Sequence, residues 1–317
     1  MKVPVIIAAP LMGLAMLLTA LPAQAAEKMT VILDWFVNPD HATLVVAREK
    51  GFFAAADLDV TLIAPADPND PPKLVSARRA DLAVSYQPQL HLQAAQGLPL
   101  TRVGTLVATP LNSLVVQKDG PIKSIADLKG RKVGFSVGGF EDAVLGAMLE
   151  QAGLSLKDVT LINVNFALSP SIYSGQVDAV IGAFRNFELN QMDIAGRPGR
   201  AFYPEEHGVP AYDELILVAH RDRVADPALR RFVDAVEQAT HYILNHPDDA
   251  WGLFIKAYPD LDDELNRRAW TDTLPRFALR PGALDTRRYD RFAAFLKKQG
   301  LLEGTPPAVD TYAVELK

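Results

Sequence analysis

Ser76-Ala77-Arg78-Arg79-Ala80-Asp81-Leu82-Ala83-Val84 decides the fold when set beside Ser174-Gly175-Gln176-Val177-Asp178-Ala179-Val180-Ile181. The second stretch repeats the first with one residue fewer. In both, small and polar residues end a helix, and an aspartate opens a short apolar run that reads as a buried strand. A unit of this kind that occurs twice predicts two related α/β lobes. Outward from the pair the chain alternates. Strands are predicted at 29–33, 58–63, 82–85, 132–135, 159–163, 180–182 and 215–219. Helices fall between them at 41–50, 88–96 and 140–151, stopped by Gly51, Gly97 and Gly153. Such alternation predicts a largely parallel sheet. After Pro227 the pattern becomes helical, with amphipathic stretches at 228–245, 248–258, 262–274 and 286–298.

The start of the chain sets the expected compartment. Lys2 precedes an almost wholly apolar run over 5–21, and Pro22-Ala23-Gln24-Ala25-Ala26 follows. That order predicts a secretory signal peptide over residues 1–25, cleaved after Ala25, and a periplasmic product. The run is marginal for a membrane anchor, which needs roughly 20 apolar residues. There is no cysteine to acylate, so a lipoprotein anchor is not expected. The remaining chain suits two ordinary domains. With 49% hydrophobic and 22% charged residues it has the balance of a globular protein. A net charge of −6 without a basic cluster argues against nucleic acid as a partner. The lack of cysteine excludes thiolate metal sites, thiol nucleophiles and iron–sulfur chemistry. Neither HExxH nor GxSxG occurs, so no catalytic residue, metal or cofactor is expected.

Four segments could carry a ligand. Leu33-Asp34-Trp35-Phe36-Val37-Asn38-Pro39-Asp40-His41 joins a strand to a helix, with Asp40 as the expected N-cap. Two adjacent aromatics on an extended chain face opposite ways, so Trp35 and Phe36 cannot share one core. A Trp beside an amide and an imidazole (Asn38, His41) suits a flat polar heterocycle, or Trp35 is core. Ser85-Tyr86-Gln87-Pro88 groups polar side chains at a strand end, or is an ordinary turn. Ser136-Val137-Gly138-Gly139-Phe140 reads as a loop whose backbone amides could meet a polar ligand, or as a tight turn before a helix whose first acids, Glu141 and Asp142, favour its dipole. In Gly182-Ala183-Phe184-Arg185-Asn186-Phe187-Glu188, Glu188 could hold a 4-aminopyrimidine through a bidentate pair, or lie on a helix surface. Tyr212, just before the strand at 215–219, is a further candidate wall.

These segments resemble the type II periplasmic solute-binding proteins of the thiamine-biosynthesis-like superfamily, and within it the formylaminopyrimidine-binding members of thiamine-precursor importers. The resemblance is carried by Leu33-Asp34-Trp35-Phe36, Asn38-Pro39-Asp40-His41, Ala47-Arg48-Glu49-Lys50-Gly51-Phe52-Phe53, Ser85-Tyr86-Gln87-Pro88, Ser174 to Gly182 and Asn186-Phe187-Glu188. It spans roughly residues 29–221. Val137-Gly138-Gly139 departs from it, where family members commonly have a Tyr-Pro-Gly type of sequence. It implies a two-lobed α/β fold, with lobe 1 at 27–114 plus 217–317, lobe 2 at 115–216, two crossing segments and a ligand cleft between them. It implies ligand contacts at Trp35, Asn38, Tyr86, Glu188 and Tyr212, and extends to His41 and the loop Gly138-Gly139-Phe140. The implied role is that of a monomer, not an enzyme, that captures a small pyrimidine and hands it to an ABC permease in the inner membrane. Two alternatives stay open: the same fold binding riboflavin or an alkanesulfonate, and a pyrimidine-synthesis enzyme. The superfamily's synthase carries a cysteine-rich iron motif, which this cysteine-free chain lacks.

Overall fold

Asp81 and Asp178 do the same work in two places. The Asp81 N–H donates to Thr30 O (3.0 Å), and Asp81 Oδ2 accepts from the Thr30 N–H (2.7 Å). The Asp178 N–H donates to Lys132 O (2.8 Å), and Asp178 Oδ2 accepts from the Lys132 N–H (2.9 Å). Each aspartate thus pins the entry of its strand to a parallel neighbour. The geometry comes from a computed structural model that describes residues 25–302 and 305–316. The expected signal peptide lies, except for Ala25, outside the described residues.

Among the described residues, ten strands form two five-stranded sheets. The first holds β1 (Glu27–Ile32), β2 (Leu58–Ile63), β3 (Leu82–Ser85), β4 (Leu100–Val107) and β10 (Leu215–His220), in the order β2-β1-β3-β10-β4. The second holds β5 (Asn112–Gln117), β6 (Lys132–Phe135), β7 (Thr160–Asn163), β8 (Ala179–Phe184) and β9 (Gly199–Phe202), in the order β7-β6-β8-β5-β9. The orders correspond position by position, and the repeated motif enters the third strand of each.

The sheets are mixed rather than largely parallel. In each, the first three strands pair in parallel. The fourth, β10 or β5, runs antiparallel to both neighbours. The reason is topological: the chain enters the second sheet at β5 and returns to the first at β10, so each fourth strand comes from the crossing. β4, β5 and β9 carry no prediction from sequence. Arg102, fully buried in β4, interrupts that strand's apolar pattern. It donates to Thr105 Oγ1 (2.8 Å) and to the carbonyls of Pro281 (3.0 Å) and Gly282 (3.1 Å), anchoring the C-terminal region.

Helices cover both faces of the central strands. Along β10, Leu215, Leu217 and Ala219 enter one apolar cluster while Ile216 and Val218 enter another. β8 divides likewise, with Ala179 and Ile181 on one side and Val180 and Ala183 on the other. Double coverage is why these strands read as continuous apolar runs. Four long helices fill the C-terminal region, at Pro227–Asn245, Pro247–Ala257, Glu264–Thr273 and Thr286–Lys298.

The two crossing segments lie side by side. Glu214 Oε2 accepts from the N–H groups of Leu111 (2.6 Å) and Asn112 (2.8 Å). Arg185 donates to the carbonyls of Leu111 (3.3 Å) and Asn112 (3.2 Å), pairs with Glu205 (2.6 Å), and lies 4.1 Å over the Tyr203 ring. One carboxyl and one guanidinium therefore tie the outgoing strand to the return.

Candidate ligand-binding site

The loops after β1, β3, β6 and β8 meet between the sheets, at the carboxyl ends of parallel strands, where open α/β sheets bind ligands. They enclose a cavity lined by Asp34, Trp35, Asn38, Asp40, Tyr86, Phe140, Glu141, Leu168, Gly182, Phe184, Phe187 and Glu188. Its free space, a slot between the two sheets, is about 420 Å³ with the mouth included.

Pro39–His41 forms a single 3₁₀ turn before the helix Ala42–Glu49. Its cap is Asn38, not Asp40: Asn38 Oδ1 accepts from the Asp40 N–H (2.8 Å), and Asn38 Nδ2 donates to Phe36 O (3.1 Å). Asn38 lines the cavity, but its amide shapes the loop. The Asn38 N–H donates to His41 Nδ1 (3.3 Å), which leaves the ring proton on Nε2. That N–H donates to Asp34 Oδ1 (2.8 Å), and the Tyr86 hydroxyl donates to Asp34 Oδ2 (2.9 Å). His41 is wholly buried behind the wall and holds Asp34 in place. Trp35 is half-buried and edge-on to Phe166 at 4.6 Å, and Phe36, 53% exposed, packs on the same Phe166 ring at 4.5 Å, so in this bend the two aromatics do not face opposite ways as an extended chain would have them.

Tyr86 stacks on Phe140 (centroids 5.1 Å apart, 27° between planes), so one of its faces is already covered. Tyr212 does not reach the cavity; it is wedged edge-on between Phe140 (6.2 Å) and Phe292 (5.4 Å). Gly138 and Gly139 also stay outside the lining. The Gly138 N–H donates instead to Asn69 Oδ1 (3.0 Å), and Asn69 Nδ2 donates to Ser136 O (3.0 Å). Of the residues singled out in the sequence, the structure brings together Trp35, Asn38, Tyr86, Phe140 and Glu188.

Glu188 is the first residue of the helix Glu188–Ile194, and its Oε2 accepts from the Phe184 N–H (2.6 Å). Burial pushes its carboxyl up to about 8. Glu141 opens the helix Glu141–Gln151; its Oε2 accepts from the Ser136 N–H (2.7 Å), and burial again pushes it up to about 8. The carboxyl rests against Gly182, where a Cβ would lie 2.4 Å from Glu141 Oε1. Gly182 also has φ of +99°, so space and backbone both call for glycine. Asp40 Oδ1 accepts from Asn186 Nδ2 (2.6 Å), and burial raises Asp40 to about 6.

Asp34, Asp40 and Glu141 were not foreseen as wall residues. In the sequence the last two look like acids that open helices, and the deciding fact, that the fold buries them, is tertiary. Among the described residues, no lysine, arginine or histidine lines the cavity, and no cluster of metal-ligating side chains occurs.

Two lobes with a slot between them at the strand ends define a type II periplasmic-binding-protein fold, with the ligand cleft between lobes joined by two crossing segments. Known proteins agree. The alkanesulfonate-binding protein from Xanthomonas axonopodis pv. citri superimposes with a TM-score of 0.72 at 17% identity, over 92% of this chain and 100% of that one. A Haemophilus influenzae protein named for thiamine biosynthesis is 55% identical over 95% of this chain and 96% of its own length. The formylaminopyrimidine-binding protein of Halalkalibacterium halodurans is 35% identical over 75% of this chain and 72% of its own. A Legionella pneumophila relative named 4-amino-5-hydroxymethyl-2-methylpyrimidine phosphate synthase is 26% identical over 80% of each. The NMT1/THI5-like family model matches residues 38–250, and the chain belongs to that family.

Proposed function

We propose that this chain is the periplasmic substrate-binding subunit of an ABC importer and captures a thiamine pyrimidine precursor of the formylaminopyrimidine or hydroxymethylpyrimidine type. The observation that carries this reading is Glu188, a buried carboxyl at the wall of an aromatic-lined slot. A 4-aminopyrimidine presents an amino donor beside a basic ring nitrogen. A carboxyl and that edge share one proton through two hydrogen bonds, whichever partner holds it. The raised Glu188 brings the proton with it, so even a neutral ring finds its match. Trp35 and Phe187 flank the ring, and Asn38 fixes the loop that presents Trp35.

The relative named as a formylaminopyrimidine-binding protein supports the ligand class. Lobes 27–114 plus 217–317 and 115–216 close on the pyrimidine as units, about the segments tied by Glu214 and Arg185. The closed monomer then docks on a permease in the inner membrane. It carries out no chemistry and needs no cofactor. A sulfonate would require cationic or N–H donors at the wall, and the lining offers four carboxyls instead. A flavin would need a wider slot. The synthase-named relatives keep an enzymatic reading in view, and incubation with candidate pyrimidines separates it: capture gives stoichiometric binding without turnover.

The direct test is Glu188→Ala in calorimetry against 4-amino-5-hydroxymethyl-2-methylpyrimidine. We expect most of the affinity to vanish while the melting temperature of the free protein stays within a few degrees or rises, since a buried acid is removed. Unaltered affinity would reject the assignment.

A further inference from the structure

Glu188 opens a short helix whose other side is clasped by the C-terminal region. The helix Glu188–Ile194 follows β8 of the second sheet, and the helix Glu264–Thr273 lies against it. Polar contacts join the two in antiparallel order. Asn186 Nδ2 donates to Thr273 Oγ1 (2.7 Å), Asn190 Nδ2 donates to Asp272 Oδ2 (2.8 Å), and Arg268 Nη1 pairs with Asp193 Oδ2 (2.7 Å). Asn186, Asn190 and Asp193 are spaced by four and then three residues, which sets them on one stripe. Glu188 stands two positions from both asparagines, so it points the other way, into the slot.

The clasping helix is itself well fixed. Asp263 caps it by accepting from the Asn266 N–H (2.7 Å), and Trp270 packs on Trp251 (5.3 Å) and Phe254 (5.7 Å). Arg268 Nη2 donates to Glu264 Oε1 (2.5 Å) one turn earlier, which aims the guanidinium before it meets Asp193. Asn190, Asp193, Arg268 and Asp272 stay outside the cavity lining, and the residues matched to the family end at 250, before this helix begins. The clasped helix is less secure by itself. It is two turns long and hangs from the end of β8, so it could pivot and carry the Glu188 carboxyl with it. A pair of hydrogen bonds to a flat ring edge weakens steeply when distance or angle drifts.

We propose that Arg268 and Asp272 are positioning residues for the ligand site: through Asp193 and Asn190 they fix the helix that begins at Glu188, and so set how well its carboxyl meets the ring edge. This rests on the role proposed for Glu188 and deepens it. The selectivity of the slot for a 4-amino group then depends on two side chains that never touch the ligand.

The test is calorimetry, direct and by competition, with 4-amino-5-hydroxymethyl-2-methylpyrimidine and with 5-hydroxymethyl-2-methylpyrimidine, which lacks the 4-amino donor. The wild type should prefer the 4-amino compound about fivefold or more, the gain of one hydrogen bond in a buried site. Arg268→Ala combined with Asp272→Ala should weaken binding of the 4-amino compound about threefold to tenfold, the sum of two solvent-facing contacts. It should weaken the other compound less, so the preference shrinks, while the ligand-free melting temperature stays within a few degrees. Affinity for the 4-amino compound within about 1.5-fold of wild type overturns the proposal. So does equal weakening of both compounds, which would mean that the contacts serve closure and not the placing of Glu188. Either result leaves the pyrimidine reading standing. A wild type that does not discriminate between the compounds removes the role of Glu188 and this inference with it. If the double variant does not fold, Asn190→Ala breaks the Asp272 contact from the other helix, and the same comparison decides at about twofold.

Discussion

Asn69 offers the sharpest test of how the cleft closes. It lies between β2 and β3 in the first lobe, and its amide meets the second lobe with both ends: Nδ2 donates to Ser136 O and Oδ1 accepts from the Gly138 N–H, each at 3.0 Å. Its own loop is set by Asp67, whose Oδ1 accepts from the Asn69 N–H (2.8 Å). The contact touches no ligand, and it exists only while the lobes are together. Asn69→Ala removes two neutral hydrogen bonds worth about 1 kcal/mol each, less some recovery by water at a half-buried site. A loss of about 1–2 kcal/mol from the closed state alone weakens apparent affinity roughly 5- to 30-fold. Dissociation should be faster and association nearly unchanged, because the bonds form after encounter. Calorimetry and stopped-flow fluorescence of Trp35 with 4-amino-5-hydroxymethyl-2-methylpyrimidine would measure both. A dissociation constant within twofold of wild type would refute the reasoning. So would an equal loss of melting stability in the ligand-free protein, which would mean that the amide holds the fold and not the closure.

Other consequences are equally open to measurement. Glu141 and Glu188 rise from an ordinary 4.5 to about 8 through burial, so the folded chain holds their protons more tightly than the unfolded one. Stability is therefore fullest below about pH 4.5 for these groups and is lost as pH rises towards about 8. The surface acids with lowered values, such as Asp127 and Asp158, act at the acid end and leave that window clear. Glu188→Gln should flatten the fall of the ligand-free melting temperature between about pH 5.5 and about pH 8.5, and an unchanged slope would contradict the burial argument. Gly182→Ala forces a Cβ to within 2.4 Å of Glu141 Oε1 at a φ of +99°. We expect a loss of about 2 kcal/mol or more in urea unfolding, together with weaker pyrimidine binding as Glu141 moves; an unchanged midpoint would show that the neighbouring carboxyl gives way freely.

The duplicated motif was legible because its chemistry is local. An aspartate that pairs reciprocally with the next parallel strand needs only a helix end, an acid and an apolar run, and all three are contiguous at 76–84 and again at 174–181. The left-handed residue that ends each helix even shifts with the length change, from Arg78 (φ +57°) to Gly175 (φ +72°). β4 was hidden for the opposite reason. Arg102 breaks its apolar pattern, and the carbonyls that satisfy the guanidinium, those of Pro281 and Gly282, lie far away in sequence. Tyr212 was assigned to the wall because it sits before a strand, yet in the fold the Phe140 ring stands between it and the slot. The Gly138-Gly139 loop was read as facing a ligand, and its amide faces the other lobe.

The acids show where local reading ends most clearly. Asp40 and Glu141 occupy positions where acids commonly serve a helix terminus, and nothing in the neighbouring residues distinguishes that use from a binding wall. What distinguishes them is desolvation by burial in the fold, which raises Asp40 to about 6 and Glu141 and Glu188 to about 8. The same burial has a consequence for capture. Near neutral pH, protons on Glu141 and Glu188 relieve the like-charge repulsion that four close carboxylates would impose on the closing cleft. In the pyrimidine reading, a ligand that brings its own donors takes over that work at Glu188. Affinity and closure then draw on the same buried carboxyl, so a substitution at Glu188 that makes the empty cleft more comfortable should make the protein a poorer binder.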